Sequence, residues 1–153
     1  MIQSKTLPQL DELYKEIILE HYRNPCGRIP LEKVDYKAEG MNPLCGDEVN
    51  LCIQVKNETI EKVHIDGHGC SISVASGSML ADILKGKTIK EAKELSIALK
   101  DIMHDKTNAN NVDIGDLEAL TGVRKFPVRI KCALLPWTTF EEALAGHDHV
   151  EIS

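Results

Sequence analysis

Four residues carry the chemistry that this sequence advertises: Cys45, Asp47, Cys70 and Cys132. They lie in three short segments, Asn42-Pro43-Leu44-Cys45-Gly46-Asp47, Gly67-His68-Gly69-Cys70-Ser71 and Arg129-Ile130-Lys131-Cys132. Three thiols and a carboxylate make a full ligand set for one thiophilic divalent ion. Zinc suits it best, because it accepts sulfur and oxygen donors in a tetrahedron. The same thiols could instead receive sulfur or hold an iron–sulfur cluster. Gly46 gives the chain freedom to turn Cys45 and Asp47 toward one point. Cys70 follows two glycines at the start of a predicted helix, where free N–H groups and the helix dipole favour a thiolate. Cys132 belongs to the last helical region and would close the site from another side. The spacing alone leaves open that the three thiols are incidental, since free cysteine is often a buried packing residue and no C-x-x-C pair is present.

Other reactive side chains have quieter readings. Cys26 in a turn and Cys52 in mid-strand read as packing thiols. His68 reads as a loop histidine beside the site, His64 as solvated on a polar strand face, and His147 and His149 as parts of a frayed tail. Trp137 reads as a packing residue, and Arg129 as a solvated helix charge that could also meet a partner's acid or a persulfide.

The elements that must position these groups follow from periodicity. Leu10, Leu13, Ile17 and Ile18 mark an amphipathic helix over Leu7–Tyr22. Val34 to Met41 is a strand candidate leading into the first ligand segment. Val49, Leu51, Ile53 and Val55 alternate with polar residues, as do Val63 and Ile65, so two strands form a hairpin around Asn57-Glu58-Thr59. Ser71–Leu84 reads as a helix. Thr88 and Glu91 form a capping box for another helix through about Met103. His104 to Gly115 reads as a polar loop and Asp116 to Thr121 as a short helix. Pro127 suits a first helical turn. Pro136 should interrupt or kink that helix, with Thr138 and Glu141 capping a new one through Leu144. These elements make an α+β fold in which a small antiparallel sheet of about three strands is packed by helices.

Composition bounds the rest. A chain of 153 residues with 42% hydrophobic and 27% charged residues suits one domain, 1–153, with its own core. Aromatic residues are only 4%, so aliphatic side chains must build that core. A net charge of −6 argues against nucleic acid, whose phosphates require clustered cations. No apolar run is long enough to span a bilayer, and the N-terminus lacks a signal-peptide stretch, so neither a membrane nor export is expected. Five cysteines, an odd number, then fit thiols or ligands in a reducing cytoplasm better than disulfides.

The three ligand segments, in the forms Asn-Pro-Leu-Cys-Gly-Asp, Gly-His-Gly-Cys-Ser-Ile-Ser and Arg-Ile-Lys-Cys-Ala-Leu-Leu, resemble those of the U-type iron–sulfur scaffold family. So does the first helix, Leu-Tyr-Lys-Glu-Ile-Ile-Leu-Glu-His-Tyr-Arg-Asn-Pro. The resemblance covers nearly the whole chain. It implies the family's IscU-like α+β fold and a metal site of Cys45, Asp47, Cys70 and Cys132. Lys131 stands where the classical scaffold branch has His, and extra residues lie at about 102–122; both features resemble the SufU branch. That branch implies a bound zinc and a sulfur relay from a pyridoxal-phosphate cysteine desulfurase to a downstream cluster-assembly scaffold. Cys45 would be the nucleophile, in an enzyme-like sulfurtransferase role, and Cys70 and Cys132 anchors. Because a zinc-bound thiolate is a poor nucleophile, Cys45 would leave the metal before reacting. A His from the desulfurase would take its place, and Asp47 would serve as an adjustable oxygen ligand. The alternative is a scaffold that builds and hands on a transient iron–sulfur cluster; a plain zinc-stabilised binding module is a third reading.

Overall fold

The computed structural model describes residues 7–108 and 111–152, with side chains described from residue 12. In chain order the elements are α1 (Leu7–Arg23), β1 (Tyr36–Asn42), β2 (Asp47–Lys56), β3 (Thr59–His68), α2 (Ser71–Leu84), α3 (Ile89–Met103), a 3₁₀ helix (Gly115–Val123), α4 (Pro127–Leu144) and β4 (His149–Glu151). The sheet has strand order β3-β2-β1-β4. The β1–β2 and β2–β3 pairs are antiparallel.

The alternation read in β2 and β3 is what buries one sheet face. Val49, Leu51, Ile53, Ile60, Val63 and Ile65 point into the core, and α2 and α4 cover them. The hairpin turns on Asn57 and Glu58, both with left-handed φ (52° and 60°). Two successive left-handed residues give the turn a twist that matches the strands. α2 is buried nearly all round: Ala75, Met79 and Leu80 are inaccessible, and even Ser73, Ser76 and Ser78 lie inside. Of the α1 face read from sequence, Ile18 is buried and Ile17 half-buried, but Leu13 is exposed; Leu10 lies outside the described side chains. No helix among the described residues is long and apolar enough to cross a membrane.

The fold departs from the sequence expectations in two places. The tail after Gly146 is not frayed, because β4 adds a parallel strand to β1, with Glu39 paired to His149 and Met41 to Glu151. Gly146 (φ 85°) turns the chain back, and Ile152 donates its N–H to Met41 and packs against the core. Pro136 neither ends nor restarts α4, which runs unbroken from Pro127 to Leu144. Tertiary packing outweighs local preference here. Pro136, Trp137 and Phe140 are all buried, and the Trp137 indole donates to Ser76 on α2 at 3.1 Å. Glu141 is consequently no capping residue. It accepts from Ser96 (2.7 Å) and Lys100 and so ties α4 to α3.

The capping box of α3 forms as read: Glu91 N donates to Thr88 Oγ1 at 3.1 Å, and Thr88 N to Glu91 Oε1 at 2.9 Å. These bonds, the backbone one foremost, hold the Glu91 carboxyl below its ordinary value of 4.5. A depressed carboxylate pKa stabilises the fold above the ordinary value and ceases to do so as pH falls through the lower, folded-state value. Acidification through that lower value should therefore cost the first turn of α3 its amide-exchange protection. In Glu91→Gln, which cannot titrate, protection of that turn should not respond to this titration. Equal pH responses in both proteins would contradict it.

Candidate functional site

One end of the sheet gathers the ligand segments. β1 ends at Asn42 and β2 begins at Asp47, so the four residues between them form a hairpin turn that carries Cys45. Gly46 takes a left-handed φ of 69°, and Cys45 N donates to Asn42 O at 3.2 Å, which closes the turn. Next door, β3 ends at His68, and Cys70 is the N-cap of α2. Cys132 lies in the second turn of α4 and is fully buried.

Cys45, Asp47 and Cys132 bring their ligand atoms within 4.8 Å of one another. Cys70 stands outside that trio but beside Cys132, and it lines the mouth of the site together with Arg129. Asp47 is 1% exposed and held on both oxygens. Oδ1 accepts the N–H of Cys70 at 2.8 Å, and Oδ2 the Asn42 amide at 3.3 Å. The carboxylate is therefore held between α2 and β1. The remaining lone pairs are still available to an ion.

The electrostatics of the trio call for a cation. The Cys132 thiol is pushed far above its ordinary range, first by burial and then by hydrogen bonding with Asp47, Cys45 and Cys70, all potential anions. Arg129, whose pKa is raised by the Cys70 and Cys132 sulfurs, is exposed and supplies its charge only at the rim. A buried carboxylate beside thiols, without a buried cation, is a costly arrangement. A divalent ion would remove that cost by displacing the thiol protons. The residues present thus fit a thiophilic ion: two sulfurs and an oxygen converge, and a third sulfur lies at the edge.

The site opens into a cleft of about 810 Å³ lined by Cys45, Cys70 and Lys125 to Arg129. Leu44, Phe126 and Val128 are 63%, 57% and 45% exposed at its border, an apolar rim around the thiols. The remaining candidates lie apart. Cys26 packs against the core, its N–H bonded to Ser78 Oγ. Cys52 sits on the outer sheet face, its thiol raised by burial and then by Asp66. His68 is exposed and pairs with Glu48 at 2.9 Å. His64 is not solvated as expected, because Asp66 and the Ile29 carbonyl tie it down. Lys131 is half-buried and outside the trio. The residue that sequence reading passed over is Asn42. Its signal was available: Ala38, Gly40 and Asn42 alternate onto the inner face of β1, and a buried amide requires partners.

Residues 13–133 match the family described as the NifU-like N terminal domain. The chain is 41% identical over 139 residues to the zinc-dependent sulfurtransferase SufU of Bacillus subtilis, covering 91% of this chain and 94% of that one. It is 35% identical to the iron–sulfur cluster assembly scaffold protein IscU of Streptococcus pyogenes, over 90% of this chain and 86% of the relative. The crystal structure of a putative iron–sulfur cluster assembly scaffold protein for the SUF system from Fervidobacterium islandicum superposes with a TM-score of 0.80 at 35% identity, over 87% of this chain and 97% of that one. With its α+β architecture, its ligand segments at one sheet end and a match spanning most of its length, this chain belongs to the NifU-like N-terminal domain family.

Proposed function

We propose that this protein is a zinc-dependent sulfur acceptor of the SufU type, which takes persulfide sulfur from a pyridoxal-phosphate cysteine desulfurase during iron–sulfur cluster assembly. The observation that carries the reading is the trio Cys45, Asp47 and Cys132, whose Cys45 also lines an open cleft, in a chain 41% identical to a zinc-dependent sulfurtransferase. Cys45, Asp47 and Cys132, with Cys70 at the rim, would hold the ion. When bound, zinc acts as a Lewis acid that keeps the thiols deprotonated.

Cys45 is the nucleophile in this reading. Its turn has room on the outside: a side chain at Gly46 would meet nothing among the described residues, and the neighbouring Leu44 is exposed. Cys70 is tied more firmly, because it is the N-cap of α2 and its N–H is bound to the buried Asp47 carboxylate. Cys132 is fully buried. The Cys45 thiolate attacks the outer sulfur of the desulfurase persulfide. A new S–S bond forms to Cys45, the old one breaks, and its electron pair leaves with the desulfurase cysteine as thiolate. No oxidant or reductant is consumed. Arg129 at the cleft mouth is placed to meet the incoming anionic sulfur. The rim of Leu44, Phe126 and Val128 offers the desulfurase an apolar footing, such as interfaces use at their centre. The persulfide then passes to a downstream scaffold. We place this chemistry in a reducing cytoplasm, where the five cysteines, all free in the fold, persist as thiols.

The test is anaerobic mass spectrometry of the zinc-loaded protein after incubation with a cysteine desulfurase and free cysteine. One added sulfur on the Cys45 peptide is expected. No added sulfur, with a brown, oxygen-sensitive protein forming when iron is supplied, would favour the scaffold role named for the Streptococcus pyogenes relative. Metal removal gives a second check. An ion present at about a thousand times its dissociation constant stabilises by about 4 kcal/mol. For a domain of this size, chelation should then lower Tm by on the order of 10 °C. An unchanged Tm after verified metal loss would sink the zinc assignment.

A further inference from the structure

Asn42 is a fully buried polar residue at the end of β1, and a buried amide requires partners. Its amide nitrogen lies 3.3 Å from Asp47 Oδ2 and 3.7 Å from Cys132 Sγ, so its two N–H groups face two acceptors. Its Oδ1 is buried with no hydrogen-bond partner among the described residues. Flipping the amide would set that oxygen against a carboxylate, so the orientation is fixed by its neighbours. Its main chain is engaged in the same place: Asn42 O accepts from Cys45 N at 3.2 Å, and Asn42 pairs with Asp47 in the sheet register. One residue thus touches all three members of the trio. An apolar side chain of similar volume would fill the space without leaving a carbonyl unmet, but it would supply neither donor.

We propose that Asn42 is a positioning residue for the metal centre, donating one N–H to Asp47 and the other to the Cys132 thiolate. The inference rests on the zinc-dependent reading above. As a thiol, Cys132 can give its proton to the Val128 carbonyl at 3.5 Å. A bound cation displaces that proton, and the sulfur then has no donor of its own. The Asn42 N–H remains as a buried neutral donor to it, and hydrogen bonds to charged acceptors are the stronger ones. The same amide orients the Asp47 carboxylate, so a single side chain sets an oxygen and a sulfur ligand relative to each other. Outer partners of this kind typically control metal affinity by about 10- to 100-fold. An N–H donor also draws electron density from the sulfur, which raises the energy of thiolate-to-metal charge transfer.

The test uses the full chain, freed of metal and titrated with Co²⁺, and zinc competition against a chromophoric chelator. Asn42→Leu, which keeps the volume and removes both donors, should bind zinc about 10- to 100-fold more weakly. Its cobalt charge-transfer band should move to lower energy. A merely structural residue would lower Tm without moving the band of the molecules that bind. If Asn42→Leu does not fold, Asn42→Ala, smaller and also without a side-chain donor, is held to the same two criteria. Wild-type affinity, or an unmoved band, in a folded variant overturns the assignment of Asn42 alone. A wild-type protein that binds neither Co²⁺ nor Zn²⁺ overturns the zinc-dependent reading as well.

Discussion

Cys45→Ala should reduce sulfur uptake from a desulfurase to background, a loss on the order of 10³-fold or more, as expected when a covalent nucleophile is removed. The loss should be chemical and not structural. Alanine keeps the Cβ, and the bond closing the turn runs from Cys45 N to Asn42 O, which the substitution leaves intact. Cys45 is only half-buried, so its sulfur leaves little cavity. The metal-free variant should melt within about 2 °C of the parent, as near-neutral substitutions do. Cys70→Ala is the matched comparison, since Cys70 is also half-buried and also lines the cleft. Peptide-mapped mass spectrometry reads both. If Cys70→Ala abolished uptake and Cys45→Ala did not, the nucleophile would have to be reassigned to Cys70, with Arg129 as its cation.

Gly69→Ala should be the most damaging single methyl group near the site. A Cβ at Gly69 would lie 2.3 Å from Asp47 Oδ1 and 2.8 Å from Asp47 Cα. The second contact is with backbone, so no rotamer change relieves it. The φ of 149° adds strain that side chains avoid. Separation of the two segments would also break the bond from Cys70 N–H to Asp47 and leave a buried carboxylate short of a donor. Together these should cost on the order of 3–5 kcal/mol, or roughly 10 °C in Tm. Zinc affinity should fall at least about tenfold, because the contact distorts the carboxylate itself. Gly122→Ala is the control: it has open space around it and no left-handed φ, and it should be nearly neutral. Thermal melts of the metal-free proteins with zinc competition decide the matter; Gly69→Ala at parent stability and affinity would refute the close packing of this loop on Asp47.

Legibility in the sequence followed the range of the interaction. α2 and the Thr88–Glu91 box were readable because they depend on residues three or four apart. The alternation of β2 and β3 was readable because each strand has one wet face and one dry face. Elements governed by distant partners were not. Pro136 reads as a helix break until Trp137 and Phe140 are seen buried beneath the sheet and α2. Thr138 and Glu141 satisfy a capping pattern, yet Glu141 is claimed by Ser96 and Lys100, more than forty residues away. The tail reads as frayed because three residues of β4 have no strand signal of their own; pairing with β1 creates them.

The site divides in the same way. By itself, the sequence determined the chemistry: which side chains can hold a soft cation, that glycines flank two of the thiols, and that no disulfide framework is needed. Only the tertiary structure decided their grouping. It set Cys45, Asp47 and Cys132 together, left Cys70 at the rim, clamped Asp47 on both oxygens, and placed Asn42 beneath them with a contact to a sulfur ninety residues away. The physical reason is that ligand type is a property of a residue. Ligand geometry, by contrast, is a property of how a sheet end, a helix start and a buried helix close on one another, and no local pattern encodes that closure.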